Sequence, residues 1–597
     1  MSFLDWMVVS FVIFLTVAVG SLMIRFASRH GAESYFTGDR KLPWWAIAIS
    51  NTATYQSGNG GFVMLILIYG LAANWIWWAS WIIWMPLVAI VWAPLWRRMR
   101  IMTTAELLTL RYGGRPAWYA RKIYALVCCF GFSVLIIGYI TGFFAITIAP
   151  IVDMEAWQIL LIFGGTTAIY TIFGGLVGVV ATEVLHFIIM MVGSVVFLFI
   201  AIQQHGGWGM ILERISTTRP EALQEFPPVL IPGSEAHSIP LLTILFLILQ
   251  GVFFAGSPTA GEGATAQRFM SAKSEGHAIG GQLFNCFLAL TCRTLPLIGL
   301  GLVATSIFWP ETLTKVAALP EGMRILKEPA HAWAELIKSC QLPPGFVGLL
   351  ISVEIAAYVS TLSALINWGS SFIINDIYRD IVKKPTAKQE IFISRITTLV
   401  LFIAASVIAL LFVKKMISWF MFINSAMVIF LLPLSFFRFF WWRFNVWGEL
   451  SAILLGLPLS IIIWFGLDFQ NPETHPFWHG LALLLGLSFV VLIIVTLLTP
   501  AESKETLLQF YQRCHPPGLW KPIEKMLSED EKEKCRLENK NIICYSIYGI
   551  LACLGLVVAT NALFVANWFH VWGGVLLAGI FGTILVLNVI RNNVHEE

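Results

Sequence analysis

Charge is scarce in this chain. Lysine, arginine, aspartate and glutamate make up 12% of its 597 residues against 58% hydrophobic residues, too little polar surface for a water-soluble protein of that size. The nine cysteines never fall in a Cys-x-x-Cys spacing. Cys128, Cys129, Cys286, Cys292, Cys544 and Cys553 lie in apolar runs, and Cys514 and Cys535 in polar sequence near the C-terminus. Neither a metal cluster nor a disulfide framework is expected. Basic residues are not interleaved with aromatic ones in any patch, which excludes nucleic acid as a partner. Paired acids, activated nucleophiles and metal-ligand clusters are also missing, so the chain does not read as an enzyme.

What remains is long apolar sequence. Runs of roughly 20 residues recur about fifteen times, the length a helix needs to cross a bilayer, and the chain reads as an all-α polytopic membrane protein. The net charge of +4 sits mostly in loops and speaks to orientation. Arg25, Arg29, Arg40 and Lys41 follow the first span, and Arg97, Arg98, Arg100, Arg121 and Lys122 follow the third. Short acidic connections at Asp153, Glu155, Asp468 and Glu473 occupy the other side. The positive-inside rule then predicts an uncleaved first span with its N-terminus outside a cell (inner) membrane and a cytoplasmic C-terminus. Residues 1–41 form an anchor helix and cytoplasmic loop, and residues 446–597 accessory helices. Within the latter, the mixed-charge stretch 500–540 reads as a solvated linker.

Two spans are interrupted. The second contains Ser50-Asn51-Thr52-Ala53-Thr54-Tyr55-Gln56-Ser57-Gly58-Asn59-Gly60-Gly61, and the seventh contains Gly256-Ser257-Pro258-Thr259-Ala260-Gly261-Glu262-Gly263. Neither is a continuous helix. Five spans separate them, and an odd-numbered unit repeated once re-enters with opposite orientation, the inverted-repeat plan of secondary transporters. Residues 42–203 and 204–445 are then the two repeats. Breaks at mid-membrane free backbone carbonyls for a ligand. In the ninth span Ala357, Ser360 and Thr361 share a helical face. Carbonyls of Ala53, Gln56 and Ala357 with the hydroxyls of Ser360 and Thr361 make about five oxygens without a carboxylate, a set for a small monovalent cation and not for calcium or magnesium.

Several stretches together resemble the sodium/solute symporter family, in a bacterial branch of the sodium/glucose cotransporter-like members. They are Gly38-Asp39-Arg40-Lys41-Leu42-Pro43-Trp44-Trp45, Glu106 to Arg111-Tyr112, Tyr170-Thr171-Ile172-Phe173-Gly174-Gly175-Leu176 with Thr182-Glu183, Gln267-Arg268, and Ser360-Thr361 to Asp376-Ile377-Tyr378. Gly70 to Trp75 and Arg438 to Arg443 carry the branch resemblance. The resemblance implies a LeuT-type fold, alternating access, Na+ as coupling ion without an organic cofactor, and a sodium site at Ala53, Gln56, Ala357, Ser360 and Thr361. It implies import of a small polar organic solute, whether sugar, sugar derivative, polyol or carboxylate. A sensor without net transport, built on the same scaffold, is the alternative.

Departures from the family bear on the remaining site residues. Glu183 stands where the family has aspartate, which places an acid one methylene longer on the ion path, unless it sits near the interface where a carboxylate costs little. The positions that grip hexose in sugar-transporting members fall on Gly60, Trp77 and Ala255, none of which replaces them. Arg293 either faces the substrate or pairs with Glu262. Asn424 and one ring among Trp75, Trp77, Trp78 and Trp81 are further substrate candidates, while Trp441, Trp442 and Trp447 read as interfacial anchors. His186 is either a packing residue or a proton carrier.

Overall fold

The computed structural model describes residues 1–23, 32–54, 58–226, 241–257, 260–316, 331–383, 385–412, 419, 422–469, 475 and 477–593. The described residues form helices and no strand beyond two isolated bridges. Among the described residues, eleven helices are long and apolar enough to cross a membrane. With the two interrupted spans and the shorter helices Ala156–Ile169 and Leu432–Phe440, the crossings among the described residues come to about fifteen, the number expected from hydropathy.

In chain order, α1 is Phe3–Leu22, and the interrupted second span gives α2 (Trp44–Thr54) and α3 (Asn59–Tyr69). Next, α4 runs from Asn74–Leu87 through Val88–Trp92 to Ala93–Met99. Then come α5 (Gly114–Val152), α6 (Ala156–Ile169) and α7 (Gly175–Gln204). The second interrupted span supplies α8 (Leu241–Phe254) and α9 (Ala264–Met270), followed by α10 (Glu275–Phe308). The next helices are α11 (Ala332–Ser339), α12 (Phe346–Ile381), α13 (Ala387–Leu411), α14 (Leu432–Phe440) and α15 (Val446–Gly466). The C-terminal part holds α16 (Phe477–Leu498), α17 (Lys504–Cys514), α18 (Glu529–Phe564) and α19 (Trp568–Asn593).

Both interruptions have a steric cause. The N-cap of α3 is Gly58 at φ 103°, where a Cβ would stand 1.7 Å from the Phe143 ring. At the second break a Cβ on Gly261 would lie 1.9 Å from the carbonyl oxygen of Ala255. Only glycine permits either approach. The ends of the interrupted spans are also joined directly, since Leu42 donates to Ser271 O (3.0 Å) and accepts from Lys273 N (3.0 Å).

α12 is buried along almost its whole length and packs against α2, α5 and α7. On it, Ser352, Ser363 and Ser370 bond back to carbonyls three or four residues earlier, the ordinary fate of a hydroxyl in a membrane helix. Its far end is fixed by Asp376, which accepts from Arg121 Nε (2.6 Å) and Thr103 Oγ1 (2.7 Å). Arg121 belongs to the face that also carries Arg97, Arg98 and Arg111, here called the basic face.

The reading of 500–540 as a solvated linker is corrected. Leu507, Phe510, Tyr511, Cys514, Trp520 and Ile523 are buried, and this segment docks on the basic face. Arg111, itself buried, donates to Arg438 O (3.0 Å) and Phe444 O (3.2 Å) and lies 4.9 Å from the Trp520 ring centre. Trp520 Nε1 donates to Phe439 O at 2.7 Å. The physical reason is a helical apolar face at 507, 510, 511 and 514, which the surrounding charges masked. Trp442 N donates to Leu519 O (3.3 Å), and Trp441 and Trp442 are half-buried against this segment, whereas Trp447 is exposed as an interfacial anchor should be.

Candidate functional site

The described part of α2 runs to Thr54, and its last turn carries the carbonyls of Asn51, Thr52, Ala53 and Thr54. Two of them point at α12. Ser360 Oγ stands 3.0 Å from both Ala53 O and Ala357 O. Thr361 Oγ1 stands 3.0 Å from Thr54 O and 3.1 Å from Ala357 O. Each hydroxyl has one proton for two carbonyls and keeps lone pairs, so five oxygens from two helices converge without a formal charge among them. This is a donor set for a hard monovalent cation. Four of the expected residues, Ala53, Ala357, Ser360 and Thr361, are brought together. The Thr54 carbonyl joins them without having been foreseen, and Gln56 lies outside the described residues.

Beside this cluster sits Glu183 of α7. Its carboxylate accepts from Arg268 Nη2 (2.6 Å), Thr54 Oγ1 (3.1 Å) and Ser50 Oγ, and both members of the ion pair are fully buried. Arg268 also donates to Thr54 Oγ1 (3.0 Å) and Ala264 O (2.8 Å). Glu183 is therefore not a solvent-facing carboxylate; it ties α7 to α2 and α9. Thr54 faces both systems, its carbonyl toward Thr361 and its hydroxyl toward the ion pair.

Glu262 does not pair with Arg293. Its Oε1 lies 2.8 Å from Arg438 Nη1 and accepts from the Tyr124 hydroxyl, and Arg438 in turn is bound to Glu449. The pairing with Glu262, one of the two alternatives left open for Arg293, is not found, because the second break faces α14 and α15. Arg293 instead lies under the influence of Glu354 on α12, and its Nη1 approaches Met190 Sδ at 3.4 Å. Glu354 is 2% exposed and was not foreseen. The amides of Asn59 act on its carboxylate, yet no hydrogen bond of good geometry reaches Oε1.

Further polar groups gather at the same point. A Cβ on Gly60 would lie 2.9 Å from Thr147 Cγ2 and 3.4 Å from Trp333 Cβ, which places α5 and α11 against the first turn of α3. Thr147 Oγ1 and Trp333 Nε1 are buried without a hydrogen-bond partner among the described residues, and Asn59 Nδ2 and Glu354 Oε1 are buried beside each other without a hydrogen bond of good geometry. Buried groups of this kind are rare and expensive unless something satisfies them. Gly60 and Arg293 thus fall at this cluster and Glu262 does not. The side chains of Trp77 and Asn424 lie outside the described residues. Trp75 Nε1 donates to Glu225 O at 2.9 Å; the indole of Trp333 lies beside the break, edge-on to Phe197 with ring centres 5.4 Å apart. His186 contacts Thr16 of α1 at 3.0 Å.

Residues 35–456 match the model of the sodium:solute symporter family. The human sodium/glucose cotransporter 4 is 25% identical over 585 residues, 88% of this chain and 79% of that protein. The rabbit sodium/myo-inositol cotransporter 2 is 26% identical over 548 residues, covering 84% and 78%. Among solved structures, a Na+-coupled sialic acid symporter in a substrate-bound outward-open state superposes with a TM-score of 0.67 at 18% identity, over 84% of this chain and 99% of that one. The fold is the LeuT-type arrangement of inverted repeats expected from the two breaks.

Proposed function

Because the chain belongs to the sodium:solute symporter family, and is thus a membrane transporter coupled to Na+ and not an enzyme, we propose that it imports a small polyhydroxylated solute, a sugar, a sugar derivative or a polyol, by alternating access. The observation that carries this reading is the double use of the first break. On its α2 side the carbonyls of Ala53 and Thr54 meet Ser360 and Thr361, and on its α3 side the partnerless groups surround Asn59 and Gly60. Sodium held at the first would fix the end of α2 against α12 and so set the position of the second. Asn59 Nδ2 and Trp333 Nε1 donate, Glu354 Oε1 accepts, and Thr147 Oγ1 does either, a pattern that suits hydroxyl groups. The sugar and inositol substrates named for the two cotransporters above support the class. The basic face is cytoplasmic in this reading, following the positive-inside rule.

Uptake into proteoliposomes tests it. With an inward sodium gradient, at least one member of a panel of hexoses, inositols and sugar acids should accumulate, and collapse of the gradient should abolish accumulation. Glu354→Gln should raise the solute KM at saturating sodium by roughly 10- to 150-fold, the equivalent of about 1.5–3 kcal/mol for a bond to a charged group. Solute binding without uptake would support the sensor alternative. Accumulation that ignores sodium would overturn the proposal.

A further inference from the structure

Away from the transport site, α10, α18 and α19 enclose a cavity of about 580 Å3, within the roughly 300–1,000 Å3 range of ligand pockets. Its lining includes Gly276, Gly280, Ala552 and Gly582. Small residues between membrane helices ordinarily let backbones touch, as Gly555 and Gly574 do where a Cβ on either would lie 2.6 Å from the other's carbonyl oxygen. Two of the trench glycines, Gly280 and Gly582, behave differently. A Cβ on Gly280 would meet nothing nearer than Trp44 Cβ at 3.8 Å, and one on Gly582 nothing nearer than Ala552 Cβ at 4.0 Å. They hold space open.

The dimensions of that space match one leaflet. From Gly276 to Phe287 the trench follows α10 for about 16 Å at about 1.5 Å per residue, half of a hydrocarbon core about 30 Å thick. At Phe287 a separate cavity of about 440 Å3 begins toward the opposite face. At its basic end the trench shares Val589 with a polar cavity of about 360 Å3 lined by Arg98, Glu275, His515, Lys534 and Glu538. Arg98 Nε binds Glu275 at 2.9 Å and its Nη1 binds Glu538 at 3.2 Å. Lys534 is exposed and its charge acts on Glu538. Two cations face two carboxylates, so the cavity offers both signs of charge and no excess of either.

We propose that this groove binds one phospholipid of the basic-face leaflet with a zwitterionic, ammonium-bearing headgroup of the phosphatidylethanolamine type. An acyl chain lies in the trench, the ammonium reaches Glu538, and the phosphate reaches Lys534. A head of net negative charge gains nothing from a neutral pocket, and a choline head has no N–H to donate to the carboxylate. The lipid joins α10, which runs into the transport core, to α18 and α19.

Native mass spectrometry of the full chain in mild detergent, titrated with phosphatidylethanolamine, phosphatidylcholine or phosphatidylglycerol, tests this. One phosphatidylethanolamine should be retained per chain in preference to the other two. Ala552→Phe, which fills the trench, should weaken retention at least about tenfold. Gly582→Leu serves the same purpose should Ala552→Phe fail to elute as a folded protein. Glu538→Gln, which removes the carboxylate assigned to the ammonium, should reduce the preference for phosphatidylethanolamine while leaving the trench intact. Equal retention of all three lipids by the wild type, undiminished retention in the trench variants, or a dimer joined through α18 and α19 in place of lipid would overturn the proposal.

Discussion

Substituting Ser360→Ala and Thr361→Val removes one hydroxyl each from the proposed ion site. A ligand to a charged group is worth about 1.5–3 kcal/mol, but the ion-free protein also loses a neutral hydrogen bond, to Ala53 O or Thr54 O, worth about 0.5–1.5 kcal/mol. The difference, about 1–2 kcal/mol, is a roughly 5- to 30-fold weaker sodium affinity in each variant. Sodium activation of uptake, or sodium-dependent thermal stabilisation of purified protein, measures it. Because coupling between two ligands is reciprocal, solute affinity at subsaturating sodium must weaken as well and recover as sodium saturates. Thr361→Val should also disturb solute binding more than Ser360→Ala. Its partner Thr54 shares its hydroxyl with Glu183 and Arg268, so the end of α2 loosens on both sides. Sodium titrations identical to the wild type in both variants would refute the assignment of the ion to these oxygens.

Glu183→Gln is expected to leave Arg268 buried with a neutral partner, at a cost of about 3–5 kcal/mol. The single variant should unfold at markedly lower temperature, while adding Arg268→Gln should restore part of the loss; additive effects in this cycle would show that the two residues act independently. Cys514 checks the docked C-terminal segment. Burial pushes its thiol up to about 12, so at pH 8 only about one molecule in ten thousand carries the reactive thiolate. As pH rises toward that value the thiolate fraction grows, and below it the thiol stays protonated and slow. Maleimide labelling at pH 8, read by peptide mass spectrometry, should miss Cys514 in the intact protein and reach it after Trp520→Ala, and fast labelling of the wild type would contradict the docked segment.

What the sequence disclosed and what it hid divide along a physical line. Polar residues set in an apolar run are a local signal, and so the two breaks and the Ser360–Thr361 pair stood out. A backbone carbonyl leaves no mark in a sequence, which is why Thr54 O went unseen. Glu354 did leave a mark, as an isolated carboxylate in the apolar run that leads to Ala356, and the rule that singled out Glu183 would have found it. Partner choice was not legible. Glu183 and Arg268 are 85 positions apart, and Glu262 had Arg293 and Arg438 as equally good mates until the fold placed α14 beside the second break. The docking of residues 504–528 was legible in the spacing of Leu507, Phe510, Tyr511 and Cys514, but high local charge outweighed that spacing.

The two breaks are held by forces of different size, and this sorts their roles. At the second break Glu262, Arg438, Glu449 and Tyr124 form a buried network of charges. Removing one partner from such a network costs about 3–5 kcal/mol. At the first break the end of α2 meets α12 through two hydrogen bonds, Ser360 Oγ to Ala53 O and Thr361 Oγ1 to Thr54 O, worth about 0.5–1.5 kcal/mol each. A conformational change driven by an ion requires the ion to compete with what already holds the moving part. Sodium binding of a few kcal/mol is commensurate with the hydroxyl contacts and small beside the charge network. In the proposed mechanism the contact of α2 with α12 is therefore the joint that sodium makes and releases. On the same proposal the second break stays bound to α14 and α15, and the Glu183–Arg268 pair, which joins α2, α7 and α9, carries the displacement of α2 to α7 and α9.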